Sequence, residues 1–339
     1  MAVLSGANEI MQAVSECARR TRDLRERMES DFSLWRLDPF QLGKTQGDYS
    51  DVTSNSPAVL ANRVVEILSD ARLRFVIPLA DEDEAARARL AQTERFVQGA
   101  LSLADQRLAG MVAPTVQQQL AWYSTLRGWY AVRVYLREDA AGCVVPDIAV
   151  WDVLNTYWGM GASGLAWACY RRYASAEQLR AEYALETVPD EYGRVSVYDY
   201  WDDENEAVIV GRDFVMPPMP HGLGRIPVLI GAVGAAPLVQ SARFSDTLRN
   251  VGESVYANNR QLYPRQSEVL TYYLTITAMG ARTPLVVYYT GDSPPEFENN
   301  PYAKGNVIFL KKDKEEAREL LKADLPHDAR LLLDFLGGQ

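Results

Sequence analysis

SARFSDTLRNVGESVYANNRQLYPRQSEVLTYYLTITAMGARTPLVVYY, residues 241–289, is followed after a Pro/Asn/Gly-rich interval by PYAKGNVIFLKKDKEEARELLKADLPHDARLLLDFL, residues 301–336. The spacing predicts a helix broken once at Pro264, a second helix, a compact β excursion and the start of a further helix. Between Val269 and Ala281 there is no Lys, Arg, Asp or Glu. A helix that is apolar on more than one side must be packed on more than one side, so this one needs a partner. The run is too short to cross a bilayer, and Thr271, Thr275 and Thr277 interrupt it. No run of 18 apolar residues occurs elsewhere, so no membrane partner is expected.

The chain has 339 residues, enough for a large core and for two or three domains. Its 47% hydrophobic and 24% charged residues are those of a globular protein. A net charge of −10 argues against a general nucleic-acid-binding surface, so any DNA contact is expected to be local or weak. Cys17, Cys143 and Cys169 are far apart and odd in number, with no CxxC pair, which favours a reducing compartment. Glu9 and Glu16 interrupt the first twenty residues, so no signal peptide is expected there.

Residues 7–29 read as one helix, with Ile10, Val14, Cys17, Thr21, Leu24 and Met28 on a single stripe. Arg19, Arg20, Arg22, Arg25 and Arg27 read as its solvated side. Asp31 to Tyr49 has no sustained period and reads as a loop. Ser56-Pro57 starts a helix with an apolar face of Leu60, Val64, Ile67, Leu68 and Ala71. Asp81 to Glu84 opens another, facing inward through Ala86, Leu90, Val97, Leu101, Ala104 and Leu108. A third helix, Thr115 to Leu126, leads to a strand over Tyr130–Arg137, in which Tyr130, Val132, Val134 and Leu136 oppose Arg133, Tyr135 and Arg137. Further strands are expected at Ile148–Val153 and Leu165–Tyr173, around a turn at Gly159–Gly164. A helix follows near Ala176–Tyr183, then a hairpin of Arg194–Trp201 and Ala207–Val210 across Asp202–Glu206. This is an α+β order, not a βαβ alternation.

Sites of known chemistry are not assembled by the sequence. Gly43-Lys44-Thr45 lacks the glycine five positions earlier that a phosphate loop needs; Asp38 stands there and Pro39 follows. Gly159, Gly161 and Gly164 do not lie between a strand and a helix, so no dinucleotide fingerprint is read. His221, in Pro220-His221-Gly222-Leu223-Gly224, has no nucleophile elbow to serve and reads as a loop anchor; a hydrolase using His221 stays as the alternative from another class. With two histidines and three scattered cysteines, no tetrahedral metal set forms. No catalytic, cofactor-binding or metal-ligating residue is therefore expected.

Several short motifs follow one another along the chain: Pro57-Ala58-Val59-Leu60-Ala61-Asn62, Tyr200-Trp201-Asp202, Pro220-His221-Gly222-Leu223-Gly224-Arg225-Ile226-Pro227-Val228 and Gly252-Glu253-Ser254. Ala281-Arg282-Thr283-Pro284, Asn300 to Ile308 and Leu325-Pro326-His327-Asp328-Ala329 continue the series. Taken in this order, they resemble the portal proteins of tailed bacteriophages. The resemblance implies an α+β fold with a wing of helices and antiparallel strands, a helical stem and a small β-containing clip. On that reading residues 1–240 are the wing and 241–280 a linking helix and first stem helix. Residues 281–323 are then the clip and 324–339 the start of a second stem helix. A portal's tunnel loop and crown are expected to lie outside this chain.

The resemblance further implies a structural, non-enzymatic subunit without cofactors, in a ring of typically twelve copies at one capsid vertex of the virion, assembled in the host cytoplasm. Expected partners are the same chain, the major capsid protein, the terminase large subunit and head-tail adaptors. Double-stranded DNA is expected to pass through the channel with weak, non-specific contact. An adaptor that binds a portal is a further alternative. Val269, Leu270, Tyr273, Ile276 and Met279 are the expected inter-subunit packing residues of the stem. Lys304, Lys311, Lys312 and Lys314 are the expected clip contacts to DNA or a partner, since five of the six lysines lie between Lys304 and Lys322.

Overall fold

A computed structural model describes residues 6–42, 49–73, 75–77, 84–138, 142–162, 164–186, 193–234, 251–281, 285–293 and 307–312. The architecture is α+β. The chain divides into two compact units: Met1–Trp35 with Ala58–Ala257, and Arg36–Pro57 with Asn258–Gln339.

The first unit begins with α1 (Ala7–Arg20) and α2 (Arg22–Arg36), where the sequence suggested one helix ending at 29. Thr21 breaks the pair, yet its N–H still reaches the Cys17 carbonyl and the stripe continues through it. All six expected stripe residues, Ile10 to Met28, are buried. Asp31 to Arg36 is helix rather than loop. Helices α3 (Ser56–Asp70), α4 (Glu84–Gly110) and α5 (Val116–Arg127) follow. Thr115 caps α5 by accepting the Gln118 N–H, and Gly128 ends it at φ +68°.

Eight strands follow: β1 (Trp129–Glu138), β2 (Val144–Trp151), β3 (Thr156–Gly161), β4 (Gly164–Ser175), β5 (Arg194–Asp202), β6 (Asn205–Val210), β7 (Asp213–Pro220) and β8 (Val228–Ala232). Helix α6 (Ala176–Tyr183) sits between β4 and β5, with Ser175 as its cap. The strands form two antiparallel sheets, ordered β2-β1-β8 and β3-β4-β5-β6-β7. Sequence reading missed β3 as a strand because Gly159 and Gly161 resemble a turn. Gly159 is in the ladder because a Cβ there would run into the Trp167 indole across the strand pair. It also missed β7, whose Pro217, Pro218 and Pro220 are tolerated only on an edge, which is where β7 lies.

One face of the five-stranded sheet takes α1: Ile10, Val14 and Cys17 pack on Tyr157, Cys169, Tyr200, Ala207 and Ile209. The main core joins Leu24 and Met28 of α2 to Trp129, Ala131, Trp151, Trp158 and Trp201. The face of β1 with Arg133 and Tyr135 was expected to oppose the apolar side, but Trp129 and Ala131 carry it into this core. Arg133 lies 5.3 Å over the Trp201 ring, while Val134 and Leu136 are the exposed ones. Val132 faces the other way, against Ala104, Val116 and Ile148.

Asp147 on β2 ties α4 to this sheet, accepting from Arg107 at 2.7 Å and Arg133 at 2.8 Å, with Arg137 at 3.9 Å. Burial alone would raise its carboxyl, but the guanidinium groups of Arg133, Arg107 and Arg137 bring it below the ordinary value. A depressed carboxylate stabilises the fold above its unfolded pKa and loses that contribution as pH falls through the folded value. Asp147→Asn is expected to cost about 3 kcal/mol at neutral pH, near the low end for breaking a buried pair because Arg137 is half exposed. Urea unfolding at pH 7 and at pH 3 tests this: the gap between wild type and variant should shrink at the lower pH.

In the second unit, α7 (Leu262–Ala281) carries the uncharged run. Pro264 is not a mid-helix break. It sits in the first turn of α7, where a missing N–H costs nothing. Of the linking helix expected before it, 251–261 run as turns, and 241–250 lie outside the described residues. Strands β9 (Leu285–Tyr289) and β10 (Val307–Lys311) pair in parallel, Leu285 opposite Val307 and Tyr289 opposite Lys311. A parallel pair needs a crossover of about a dozen residues or more, which 290–306 supply.

Candidate functional site

The helix that carries the uncharged run buries a mainly hydroxyl stripe. Tyr263, Ser267, Thr271 and Thr275 recur every four residues and form the buried face of α7. Against them lies an extended segment, 49–54, of which only Tyr49 belongs to the loop expected over Asp31–Tyr49. Its alternate N–H groups donate to successive hydroxyls: Ser54 to Ser267 Oγ at 3.1 Å, Val52 to Thr271 Oγ1 at 3.0 Å and Ser50 to Thr275 Oγ1 at 2.9 Å. The two periods match because alternate residues of an extended chain are about 6.6–6.8 Å apart and four helical residues rise about 6 Å.

A second row is stitched on by side chains of the same strap. Thr53 Oγ1 accepts from the Phe40 N–H at 2.9 Å, and Asp51 Oδ1 from the Leu42 N–H at 3.2 Å. Thr277, on an exposed face, shows the ordinary alternative, donating back to the Tyr273 carbonyl of its own helix.

With its hydroxyls inside, α7 turns apolar side chains outward. Tyr272 is 44% exposed and Leu274 40%, while Val269, Leu270, Tyr273 and Ile276 are half-buried. Four of the five expected packing residues thus lie outside the buried stripe; the Met279 side chain falls outside the described residues. The α7 sequence alone could not identify the inward face, since hydroxyl and apolar positions both follow helical spacing.

A second constellation lies in the first unit, at Gly252-Glu253-Ser254. Gly128 and Gly252, at φ +68° and +70°, press backbone against backbone; a Cβ on either would run into the other's carbonyl. Around them, Arg27 donates to the carbonyls of Gly252 at 2.5 Å and Arg127 at 3.5 Å, and pairs with Glu253 at 3.4 Å. Arg127 donates to the Met28 carbonyl and to Asp152, under the rings of Phe32 and Trp122. Ser254 Oγ donates to the buried Asp31 at 2.7 Å and accepts from the Tyr256 N–H. Trp129 Nε1 donates to the Val251 carbonyl at 2.8 Å.

The arginines of α1 and α2 are therefore not uniformly solvated, contrary to the sequence reading. Arg19 and Arg22 make exposed pairs with Glu16 and Glu26. Arg20, Arg25 and Arg27 reach inward to carbonyls, Arg25 to those of Leu154 and Thr156. The missed signal was a guanidinium's fixed fork, which satisfies several carbonyls at once.

His221 anchors a turn. Its Nδ1 accepts the Leu223 N–H at 3.1 Å, so Nε2 carries the proton and meets the Asp202 carbonyl at 3.0 Å. Its ring lies 5.6 Å from Trp201. Asp202 Oδ1 accepts from the N–H groups of Glu204 and Asn205, which closes the acidic hairpin tip as an Asx turn. Among the described residues no group of His, Cys, Asp or Glu could hold a metal ion. Cys17 and Cys169 are buried and Cys143 is exposed; burial pushes the Cys169 thiol well up, away from thiolate chemistry.

Of the expected clip contacts, Lys311 lies 3.5 Å from Asp292 and the Lys312 N–H donates to the Tyr289 carbonyl, which extends the β9–β10 ladder. Lys304 and Lys314 lie outside the described residues, as do Gly43-Lys44-Thr45, His327 and the expected second stem helix. No protein-family model matches the chain, and no curated protein matches it significantly.

Proposed function

We propose that this chain is a structural subunit of a portal ring of a tailed bacteriophage, with α7 as its first stem helix and β9–β10 in its clip. The observation that carries the reading is the inverted α7: its hydroxyl face is used up by the strap, and its apolar side chains face outward. A helix of this kind needs partners on its remaining sides. In a ring, the same helix of each neighbouring copy supplies them. The partners follow from that role: copies of the chain, the capsid protein around the vertex, the terminase during packaging and head-tail adaptors afterwards. A net charge of −10 suits a channel that must pass DNA without gripping it.

Purified protein examined by mass photometry and negative-stain microscopy should form a ring with a central hole. Leu274→Glu would place an unpaired charge in that contact. The concentration needed for assembly should rise by about 100-fold or more, equivalent to about 3 kcal/mol. The monomer should stay folded, because Leu274 is already exposed in the single chain. A protein that remains monomeric at every salt and protein concentration would overturn the reading.

A further inference from the structure

Two half-buried arginines, Arg25 of α2 and Arg171 of β4, meet over one tyrosine of the five-stranded sheet. The Arg25 guanidinium lies 4.4 Å from the centre of the Tyr157 ring and that of Arg171 5.8 Å. Arg171 also lies 5.4 Å from the Tyr173 ring, over which Arg194 sits at 5.0 Å. The contacts thus run unbroken from Arg25 through Tyr157, Arg171 and Tyr173 to Arg194. Alternation puts Arg171 and Tyr173 on the face of Cys169, and Ser196 and Tyr198 on the face of Tyr200. The register sets Arg171 beside Tyr198 and Tyr173 beside Ser196. Helix α1 covers Cys169 and Tyr200, whereas Tyr173 is 45% exposed, so this end of the face is open.

Charge sets the two arginines apart. Arg27, Arg107, Arg127, Arg133 and Arg172 each face a carboxylate: Glu253, Asp147, Asp152, Asp147 and Asp199 in turn. Among the described residues no carboxylate pairs with Arg25 or Arg171, in a chain with 45 acidic residues. Arg25 donates to the Thr21 hydroxyl and to the carbonyls of Leu154 and Thr156, and Arg171 to the Asn155 amide oxygen at 2.8 Å. These neutral acceptors hold both groups against the turn 153–156 and leave their charge in place. Burial pulls the Arg25 guanidinium below its ordinary value, and the like charge of Arg171 works in the same direction. An anion would relieve both.

Guanidinium forks pair with carboxylates and with phosphates. The hydroxyls of Tyr173, Ser196 and Tyr198 are further donors on the same face; burial pushes the Tyr198 hydroxyl up, so it keeps its proton. A carboxylate brings a single charge and two oxygens. A phosphate monoester brings a charge of about −1.5 to −2 and three acceptor oxygens, which suits two guanidiniums with hydroxyls around them. A nucleic-acid strand fits less well, because guanidiniums already lie over the Tyr157 and Tyr173 rings on which its bases would stack.

We propose that Arg25 and Arg171, with the hydroxyls of Tyr173, Ser196 and Tyr198, form a binding site for a phosphate monoester, free or carried on a peptide. The site lies within the first unit and stands whether or not copies of the chain assemble.

The test titrates the full chain by calorimetry at constant ionic strength with inorganic phosphate, then with a phosphoserine peptide and its unphosphorylated counterpart. Saturable phosphate binding with a Kd of about 1 mM or tighter is expected. Arg171→Lys keeps the charge but loses the fork, and Tyr198→Phe loses only a hydroxyl. Each should weaken binding at least about 10-fold, as losing a hydrogen bond to a charged group does, with circular dichroism unchanged. If one of the two fails to fold, the other carries the comparison. Arg180→Gln on α6, where Arg180 makes only an exposed pair with Glu186, is the control that should bind like wild type. A phosphopeptide that binds tighter than inorganic phosphate would support the site and place its ligand on a partner protein; one that binds no tighter would support it with a free monoester. No saturation by about 10 mM phosphate would overturn the site. So would phosphate binding that both variants keep, a peptide that binds equally without its phosphate, or Arg171-dependent binding of single-stranded DNA but not of phosphate.

Discussion

Gly252→Ala is expected to destabilise the first unit by about 4 kcal/mol or more, enough to leave much of the protein unfolded. Two effects add. At φ +70° an L side chain is strained, and the new methyl would also run into the Trp129 indole and the Gly128 carbonyl. None of these neighbours can give way. The Trp129 indole is fixed by its bond to Val251, and the Gly128 carbonyl accepts the Val233 N–H at 2.8 Å. Gly224→Ala is the control: it has φ +63° but open space around it, so it should cost only about 1 kcal/mol. Urea unfolding of both variants separates strain from collision. Equal midpoints would mean that the close approach of 128 and 252 contributes nothing.

Removing the acceptors under the strap is the second large effect. Ser267→Ala with Thr271→Val keeps nearly the same volume but leaves the N–H groups of Ser54 and Val52 without partners. Each such loss costs about 1–3 kcal/mol, and the pair is expected to cost about 4 kcal/mol. Thr275→Val should cost less, about 1 kcal/mol, because Ser50 is exposed and water can replace the hydroxyl. Thr277→Val, whose hydroxyl only bonds its own helix, should change stability by less than about 0.5 kcal/mol. Amide hydrogen exchange gives the site-resolved readout. Val52 and Ser54 should lose protection in the double variant while the amides of β4 and β5 keep theirs. Unchanged exchange at Val52 would show that the hydroxyl ladder does not hold the strap.

Both variants probe contacts between residues more than a hundred positions apart, and that separation marks where sequence reading stopped. The stripe from Ile10 to Met28 was legible because a local period of three and four maps directly onto one buried face. The β5–β6 hairpin was legible for a similar reason, with alternation on either side of a turn at Asp202–Glu206. Asp31 and Ser54 were not, since a polar residue declares its burial only through a partner elsewhere: Ser254 for the first, Ser267 for the second. The same holds for Arg27 and Arg127, which composition counts as surface charge and the fold uses as internal ties.

From the sequence alone came the α+β class, most helices and strands, and the uncharged run from Val269 to Ala281. These depend on local spacing and composition, which a chain carries before it folds. Tertiary structure alone decided which side of that helix is inside. Ser267, Thr271 and Thr275 face inward because the strap from 49–54 brings N–H groups, buried at Ser54 and partly buried at Val52, that those hydroxyls accept. The apolar side chains of α7 are thereby left facing outward.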